Sequence, residues 1–381
     1  VDLSLTADQE LLRRTVREFA EAELRPHVMA WDEAQEFPSA LVDKLAAMGL
    51  TGIQVPESEG GAGLGAVDYC IAIEELARVD PSIALSVAAH NGLAVAHLAM
   101  AGTPDQKARY LGPLVRGEML GAWALTEAGA GSDAAGMRTS ARREGDGWVL
   151  HGTKQFITHG RTAGVLVVMA VTNPAEGHRG ISAFIVERGA AGLRAGRKED
   201  KLGMRASDTS EVILEDVRVA ADALLGAEGH GFVDTLRILD AGRIGIAALA
   251  VGLAQGAFEA ALAHANARRQ FGRAIAGFQA IRWKLADMAT ELEAARLLTY
   301  RAAWLRDRRE GRTSTASSIA KLYASEAAVR AAEECVQIHG GYGFVKDYPA
   351  EKLFRDVKLC TIGEGTSEIQ RLVIARDLLG R

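Results

Sequence analysis

The stretch WVLHGTKQFITHGRTAGVLVVMAV, residues 148–171, decides the fold. Its β-branched and aromatic runs are broken at Gly152, Gly160 and Gly164, the punctuation of short strands joined by turns. Runs of the same texture follow, ISAFIVE at 181–187 and SEVILEDVRV at 210–219. Moving outward, the period changes in both directions. Upstream, Leu12, Val16 and Phe19 share one helical stripe behind a capping box of Thr6 and Gln9, and Pro38 and Gly49 bracket a second helix. Further helices are expected over 67–79, 83–100 and 105–115. Downstream, helical spacing returns after Gly231 and continues nearly to Arg381. The expected architecture is α+β and multidomain: an N-terminal helical domain over 1–120, a central antiparallel β barrel or sandwich over 121–227, and a C-terminal helical bundle over 228–381. Strand and helix do not alternate, which argues against a doubly wound sheet.

Composition narrows the function. The chain has 381 residues, 44 Lys plus Arg against 49 Asp plus Glu, and a net charge of −5, so it carries no global footprint for nucleic acid. Cys70, Cys335 and Cys360 are too few and too widely spaced for a disulfide framework or a CxxC pair, which fits a reducing cytoplasm. The start has no basic region leading into an apolar stretch, so no signal segment is expected. The longest uncharged run, Ile244 to Phe258, falls short of the roughly 20 apolar residues of a membrane span and reads as a buried helix whose Ala and Gly allow close approach of a neighbour.

The commonest catalytic signatures are absent. There is no HExxH, no Cys and His ligand spacing and no GxSxG. The run from Gly147 to Lys154 imitates a phosphate loop in the wrong order, and GAGSDA at 129–134 matches a dinucleotide fingerprint without the strand and helix that motif requires. Other segments carry more. In ALTEAGAGSD (124–133), Gly129 and Gly131 free main-chain amides and Thr126 and Ser132 add hydroxyls, a loop suited to a planar heterocycle or phosphate and equally to a plain turn. KQFITHG puts Phe156 near Thr158 at a strand end. RRQFGR (268–273) is an anion clasp or a basic helix C-terminus. QIHGGYGF (337–344) permits either ligand approach or a tight turn. In TIGEGTSEIQ (361–370), Glu364 lies between two glycines before a helix expected to be capped by Ser367 and Gln370. Burial under an apolar ligand would raise its pKa toward that of a useful base, whereas exposure at a helix N-terminus would lower it.

Together and in this order, these segments resemble the acyl-CoA dehydrogenase family, from the first helices to the closing ARDLLGR. The resemblance implies a C-terminal four-helix domain and FAD held between it and the β domain. Trp123, Leu125, Thr126, Gly131 and Ser132 match the family's first flavin segment, and Phe156, Ile157 and Thr158 its second. Arg268, Gln270, Phe271, Phe278 and Gln279 match positions that reach the FAD of another subunit, as do Gln337, Gly340 and Gly341 for its ADP half. A homo-oligomer follows, with a tetramer built as a dimer of dimers as the family expectation. Thr366 and Glu368 match cofactor contacts flanking the base. Asp240, Arg243 and Ser132 match positions around the acyl-CoA, with Gly365 beside the thioester, and Glu364 matches the catalytic base. Some branches carry that acid on the helix containing LDAGR, where this chain has Gly242, so one location is occupied and the short-chain, medium-chain and short-branched types are favoured.

The reaction implied is removal of the α proton by Glu364 and passage of the β hydride to flavin N5, giving a trans-2-enoyl-CoA in fatty acid β-oxidation or branched-chain amino acid catabolism. A main-chain amide near Glu364 and a flavin hydroxyl would stabilise the enolate oxygen. Electrons would leave to an electron-transfer flavoprotein. Departures from the family pattern are Ala128 for a usual Pro, Phe156 for Trp, His159 for a frequent Asn, and Gly363 where many members carry an aromatic. The competing readings are a flavin oxidase or monooxygenase acting without CoA, and a non-catalytic helical assembly protein.

Overall fold

The computed structural model describes residues 4–310 and 313–380. The first helix is Ala7–Phe19, closed by the expected box: Gln9 N–H donates to Thr6 Oγ1 at 3.2 Å and Thr6 N–H to Gln9 Oε1 at 3.1 Å. The helix bracketed by Pro38 and Gly49 is shorter than its brackets, Leu41–Ala47, and an unexpected helix, Val28–Ala34, precedes it. Ala66–Val79 and Pro81–Ala101 match expectation. The second is wound as a wide π turn over His90–Val95.

Eight strands form one sheet: β1 Gly121–Ala124, β2 Ser140–Glu144, β3 Gly147–Thr158, β4 Val165–Val171, β5 Ile181–Glu187, β6 Leu193–Lys198, β7 Thr209–Val219 and β8 Leu224–Leu225. The order is β6-β7-β3-β2-β4-β5-β8, with β1 beside β4. Pairing is mostly antiparallel, as expected, but β1 and β2 each meet β4 in parallel. Alternation along β4 sends Val165, Val167 and Met169 to a core shared with the helices around Leu98 and Leu114, and Leu166 and Val168 to a second core with Trp148, Phe184 and Leu214. Both faces are covered, so the strand reads as one apolar run.

After the sheet come Gly231–Ala267, Gln279–Asp307, Thr313–His339 and two shorter helices, Ala350–Val357 and Ser367–Leu378. Helices from the two ends of the chain share a single core, in which Ile73 and Leu76 pack with Leu249, Leu253, Ala328 and Leu353. Close crossing depends on glycine: a methyl group on Gly252 or Gly256 would strike the carbonyl oxygens of Glu74 or Arg78. A buried charge cluster ties all three regions together. Lys352 Nζ lies 2.6 Å from Asp356 Oδ2 and 3.2 Å from Asp80 Oδ1, while Met204 N–H donates to Asp356 Oδ1 at 2.6 Å. Pro81–Ala101 and Gly231–Ala267 are each long and apolar enough to cross a membrane by length and composition, which corrects the reading from the uncharged run alone. Here both are core helices, with 78% and 61% of their most apolar windows buried.

Candidate active site

Glu364 sits in a turn whose main chain is held from two sides. Gly363 N–H closes back onto Leu359 O at 2.8 Å, and Glu364 and Gly365 then take φ of 54° and 94° before the last helix starts. Thr366, rather than the expected Ser367, caps that helix, its hydroxyl accepting from Ile369 N–H. Lys321, fully buried on Thr313–His339, donates to Gly365 O at 2.6 Å, and Gln370 Nε2 donates to the same oxygen at 2.9 Å. With its carbonyls pinned there, the turn directs the Glu364 side chain against the long helix. It lands on Gly242, where even a methyl group would overlap Oε2.

That oxygen is buried and has no hydrogen-bond partner. Burial pushes the Glu364 carboxyl up to about 7, opposed by the charges of Lys321 and Arg243. Exposure at a helix N-terminus is therefore not what this acid experiences. Arg243 is itself buried, with Nη1 2.6 Å from Asp240 Oδ1, an oxygen that also accepts from Ser314 Oγ at 2.9 Å. Glu364, Gly365, Asp240 and Arg243 thus form one group, with a basic, poised carboxyl at its centre.

A second group forms on the sheet. Gln155 N–H donates to Thr126 O at 2.8 Å, and Lys154, fully buried, reaches Leu125 O at 3.0 Å and Glu127 Oε1 at 2.8 Å. Glu127 in turn accepts from the main-chain N–H groups of Arg138 and Thr139. These bonds clamp the 125–131 loop beside the end of β3. Trp123 is buried and donates to His97 Nδ1 at 3.1 Å. Gly129 and Gly131 face open space, and Ser132 is exposed. A bulge between Lys154 and Ile157 puts Phe156 at φ 58° with 61% of its surface exposed, next to Thr158. The Ile157 side chain turns into the core instead, so only its main chain can serve a ligand.

The remaining candidates lie apart. Arg268 ends the long helix and is followed by a hairpin, Arg269–Gln270 with Arg273–Ala274, whose tip residue Phe271 is 92% exposed. Phe278 packs edge-on against Phe271 with ring centres 5.9 Å apart, and Gln279 opens the next helix. Arg268 and Gln270 line a cleft of about 550 Å³ with Gly340 and Gly341, whose glycines face open space, and Gln337 is exposed at the end of its helix. Thr366 and Glu368 border a smaller cleft of about 360 Å³ near Arg330 and Lys358. Among the described residues, no hydrogen bond, ion pair or ring contact joins the Arg268 cleft to the 123–132 loop. Sequence reading missed Lys154, Glu127 and Lys321, and gave Gln370 a capping role where the structure has it donate to Gly365 O. The available signals were a lysine inside a strand pattern and a single lysine in the small-residue run STASSIAKLYAS (314–325).

Comparison with known proteins bears on the family. Acyl-CoA dehydrogenase family models match along the chain: N-terminal domain over residues 6–118, middle domain over 122–217 and C-terminal domain over 229–379. The short-chain specific acyl-CoA dehydrogenase of Clostridium acetobutylicum is 44% identical over 375 residues, covering 98% of this chain and 99% of that protein. The caffeyl-CoA reductase-Etf complex subunit CarC of Acetobacterium woodii is 44% identical over 371 residues, covering 97% and 98%. The butyryl-CoA dehydrogenase structure from Megasphaera elsdenii superposes with a TM-score of 0.97 at 40% identity, covering all of both chains. A glutaryl-CoA dehydrogenase of Mycobacterium smegmatis in complex with FADH2 gives 0.94 at 34% identity, covering 99% and 96%. A buried acid over a glycine, a clamped glycine loop on a mostly antiparallel sheet, and family matches in chain order along almost the whole length place the chain in the FAD-dependent acyl-CoA dehydrogenase family.

Proposed function

We propose that the protein dehydrogenates short-chain acyl-CoA thioesters between Cα and Cβ, with Glu364 as the base. The observation that carries this is the unpartnered Glu364 oxygen over Gly242, held near its ionisation midpoint at neutral pH. The residues present suit FAD: open glycines at 129 and 131, the exposed Phe156 ring beside Thr158, and the cleft at Arg268 and Gly340. When bound, FAD accepts the hydride that leaves Cβ. Glu364 takes the α proton, and the electrons of that C–H bond form the Cα=Cβ bond as the β hydrogen departs. The Lys321 and Gln370 bonds to Gly365 fix the angle from which the acid approaches. Arg243 and Asp240 orient the polar end of the substrate.

Because the Arg268 cleft lies away from the sheet loop, we assign it to the FAD of a second subunit, in a tetramer built as a dimer of dimers. Electrons pass to an electron-transfer flavoprotein, and the three buried free cysteines suit the cytoplasm. Fatty acid β-oxidation and short branched-chain catabolism both offer such substrates. A second reading, reduction of a 2-enoyl-CoA on the same groups, is favoured by the similarity to the caffeyl-CoA reductase subunit. Anaerobic mixing with butyryl-CoA tests the first reading by bleaching of the flavin. The second is favoured if the dithionite-reduced protein transfers electrons to crotonyl-CoA while butyryl-CoA leaves the oxidised flavin unbleached.

A further inference from the structure

We infer that Tyr69 forms the floor of the acyl pocket and sets the chain length the enzyme accepts, an inference that rests on the dehydrogenase reading above. Gly242 and Gly245 lie three residues apart on the long helix and so share one face, with Cβ positions about 5–6 Å apart. Glu364 occupies the space over Gly242. Tyr69 occupies the space over Gly245: a methyl group there would come within 2.7 Å of the phenol oxygen and 3.1 Å of the ring. The base and the phenol are therefore successive occupants of one groove. Across from Gly245, a methyl group on Gly92 would stand 3.1 Å from the same oxygen.

Tyr69 is 3% exposed, and its hydroxyl donates to Ala88 O at 3.3 Å. The ring fills a slot whose other walls, Ala88, Gly92 and Gly245, carry almost no side chain. Gly92 belongs to the π turn His90–Val95, whose polar members are anchored elsewhere: His90 to Thr51 O and the Gly121 N–H, Asn91 to Leu50 O and Val87 O. The widened turn thus presents only its glycine to the slot, a local irregularity of the kind found at functional sites. Burial, reinforced by the Glu364 charge, holds the phenol far above its ordinary pKa, so it stays a neutral plug.

The near flank of Glu364 is taken by Arg243, Lys321 and Asp240, which directs an alkyl tail to the Gly245 side, where the neutral Tyr69 ring stands between the groove and the buried Arg306. A tail running that way meets the Tyr69 oxygen within about one helical turn of the base. On this placement a four-carbon thioester is the expected substrate and an eight-carbon one is expected to be excluded. Removing the ring joins the slot to the groove and deepens the pocket by the length of a phenol.

The test compares wild type with Tyr69→Ala, both carrying FAD, using kcat/KM for butyryl-CoA and octanoyl-CoA and calorimetric binding of the four- and eight-carbon trans-2-enoyl-CoA products. Expected is a rise of at least tenfold in the octanoyl to butyryl ratio, with tighter binding of the eight-carbon product. A ratio within twofold of wild type, with full FAD content, overturns the inference. Tyr69→Phe, which keeps the ring, should move the ratio less than threefold, and an effect equal to that of Ala would also overturn it. If the alanine protein does not fold, Tyr69→Leu carries the same comparison. Failure of the dehydrogenase reading looks different, since wild type would then leave its flavin unbleached with every acyl-CoA.

Discussion

Glu364 and Phe271 both adopt a left-handed backbone, with φ of 54° and 49°, a conformation uncommon outside glycine. Around Glu364 the strain is held by bonds from Lys321 and Gln370 to the next carbonyl and by a partner surface, Gly242, already present in the same chain. Phe271 is at the tip of a two-residue hairpin turn, 92% exposed, with the Phe278 ring edge-on against it. One region is finished within the chain and the other is left open. An acid that works desolvated is served by groups already in place around it, whereas an exposed aromatic at a hairpin tip is apolar surface left for something else to cover, which under the proposed function is a second copy of the chain.

The sharpest way to break this contrast is Glu364→Gln. Flavin reduction by butyryl-CoA should fall by about 10²–10⁴-fold, the usual contribution of a general base, with FAD content unchanged. The same change should stabilise the fold at alkaline pH. The carboxyl is raised to about 7 in the folded state, so the wild type loses stability as pH rises through that value, and the Gln protein does not. Melting temperatures should therefore coincide near pH 4, separate as pH rises from there to about 7, and stay apart by a constant amount above it. A Gln protein that reduced its flavin normally would remove the finished site from the comparison.

Gly242→Ala comes next. The added methyl displaces Oε2, and a misplacement of about 1 Å costs on the order of 10²-fold in rate. Stopped-flow reduction should show the loss in the reductive step, with FAD still bound.

Lys321→Met sharpens the electrostatic side. The wild-type rate should rise with pH through about 7 as Glu364 ionises. Removing the lysine, whose charge lowers that pKa, should move the acid limb to higher pH. A simple loss of stability would leave the limb in place, so the pH profile separates the two effects.

The smallest effect belongs to the open region. Phe271→Ser should weaken subunit association and FAD retention by about 1–2 kcal/mol, the scale of one interface anchor, without changing the pH profile of the reductive step. Sedimentation and flavin release on dilution would measure it. A monomeric wild type that held FAD tightly would contradict the assignment of this hairpin to a partner.

Much of this was legible before the fold was seen. The strand textures of 148–171 and 210–219, the Thr6 box and the helices expected at 67–79 and 83–100 are local patterns, and local patterns survive into the structure. Glu364 was visible as an acid between glycines. Its pKa direction was not, because both outcomes were compatible with the same ten residues and only burial decides between them. Lys154 and Lys321 were missed for a related reason. A lysine is an ordinary surface residue until the chain places a carbonyl 3.0 Å or 2.6 Å from its nitrogen.

The amino-acid sequence by itself determined the α, β, α succession, the short strands and the glycine loop, since each depends on residues close together in the chain, while Glu364 as the base came only through the family resemblance. Tertiary structure alone decided that the first and last helical regions share one core, that Glu364 rests on Gly242 and Tyr69 on Gly245, and that the Arg268 cleft lies apart from the sheet loop. These depend on contacts between segments more than a hundred residues apart in most cases. No local period encodes such contacts, because they arise only when burial of apolar surface chooses one packing of the helices over the others.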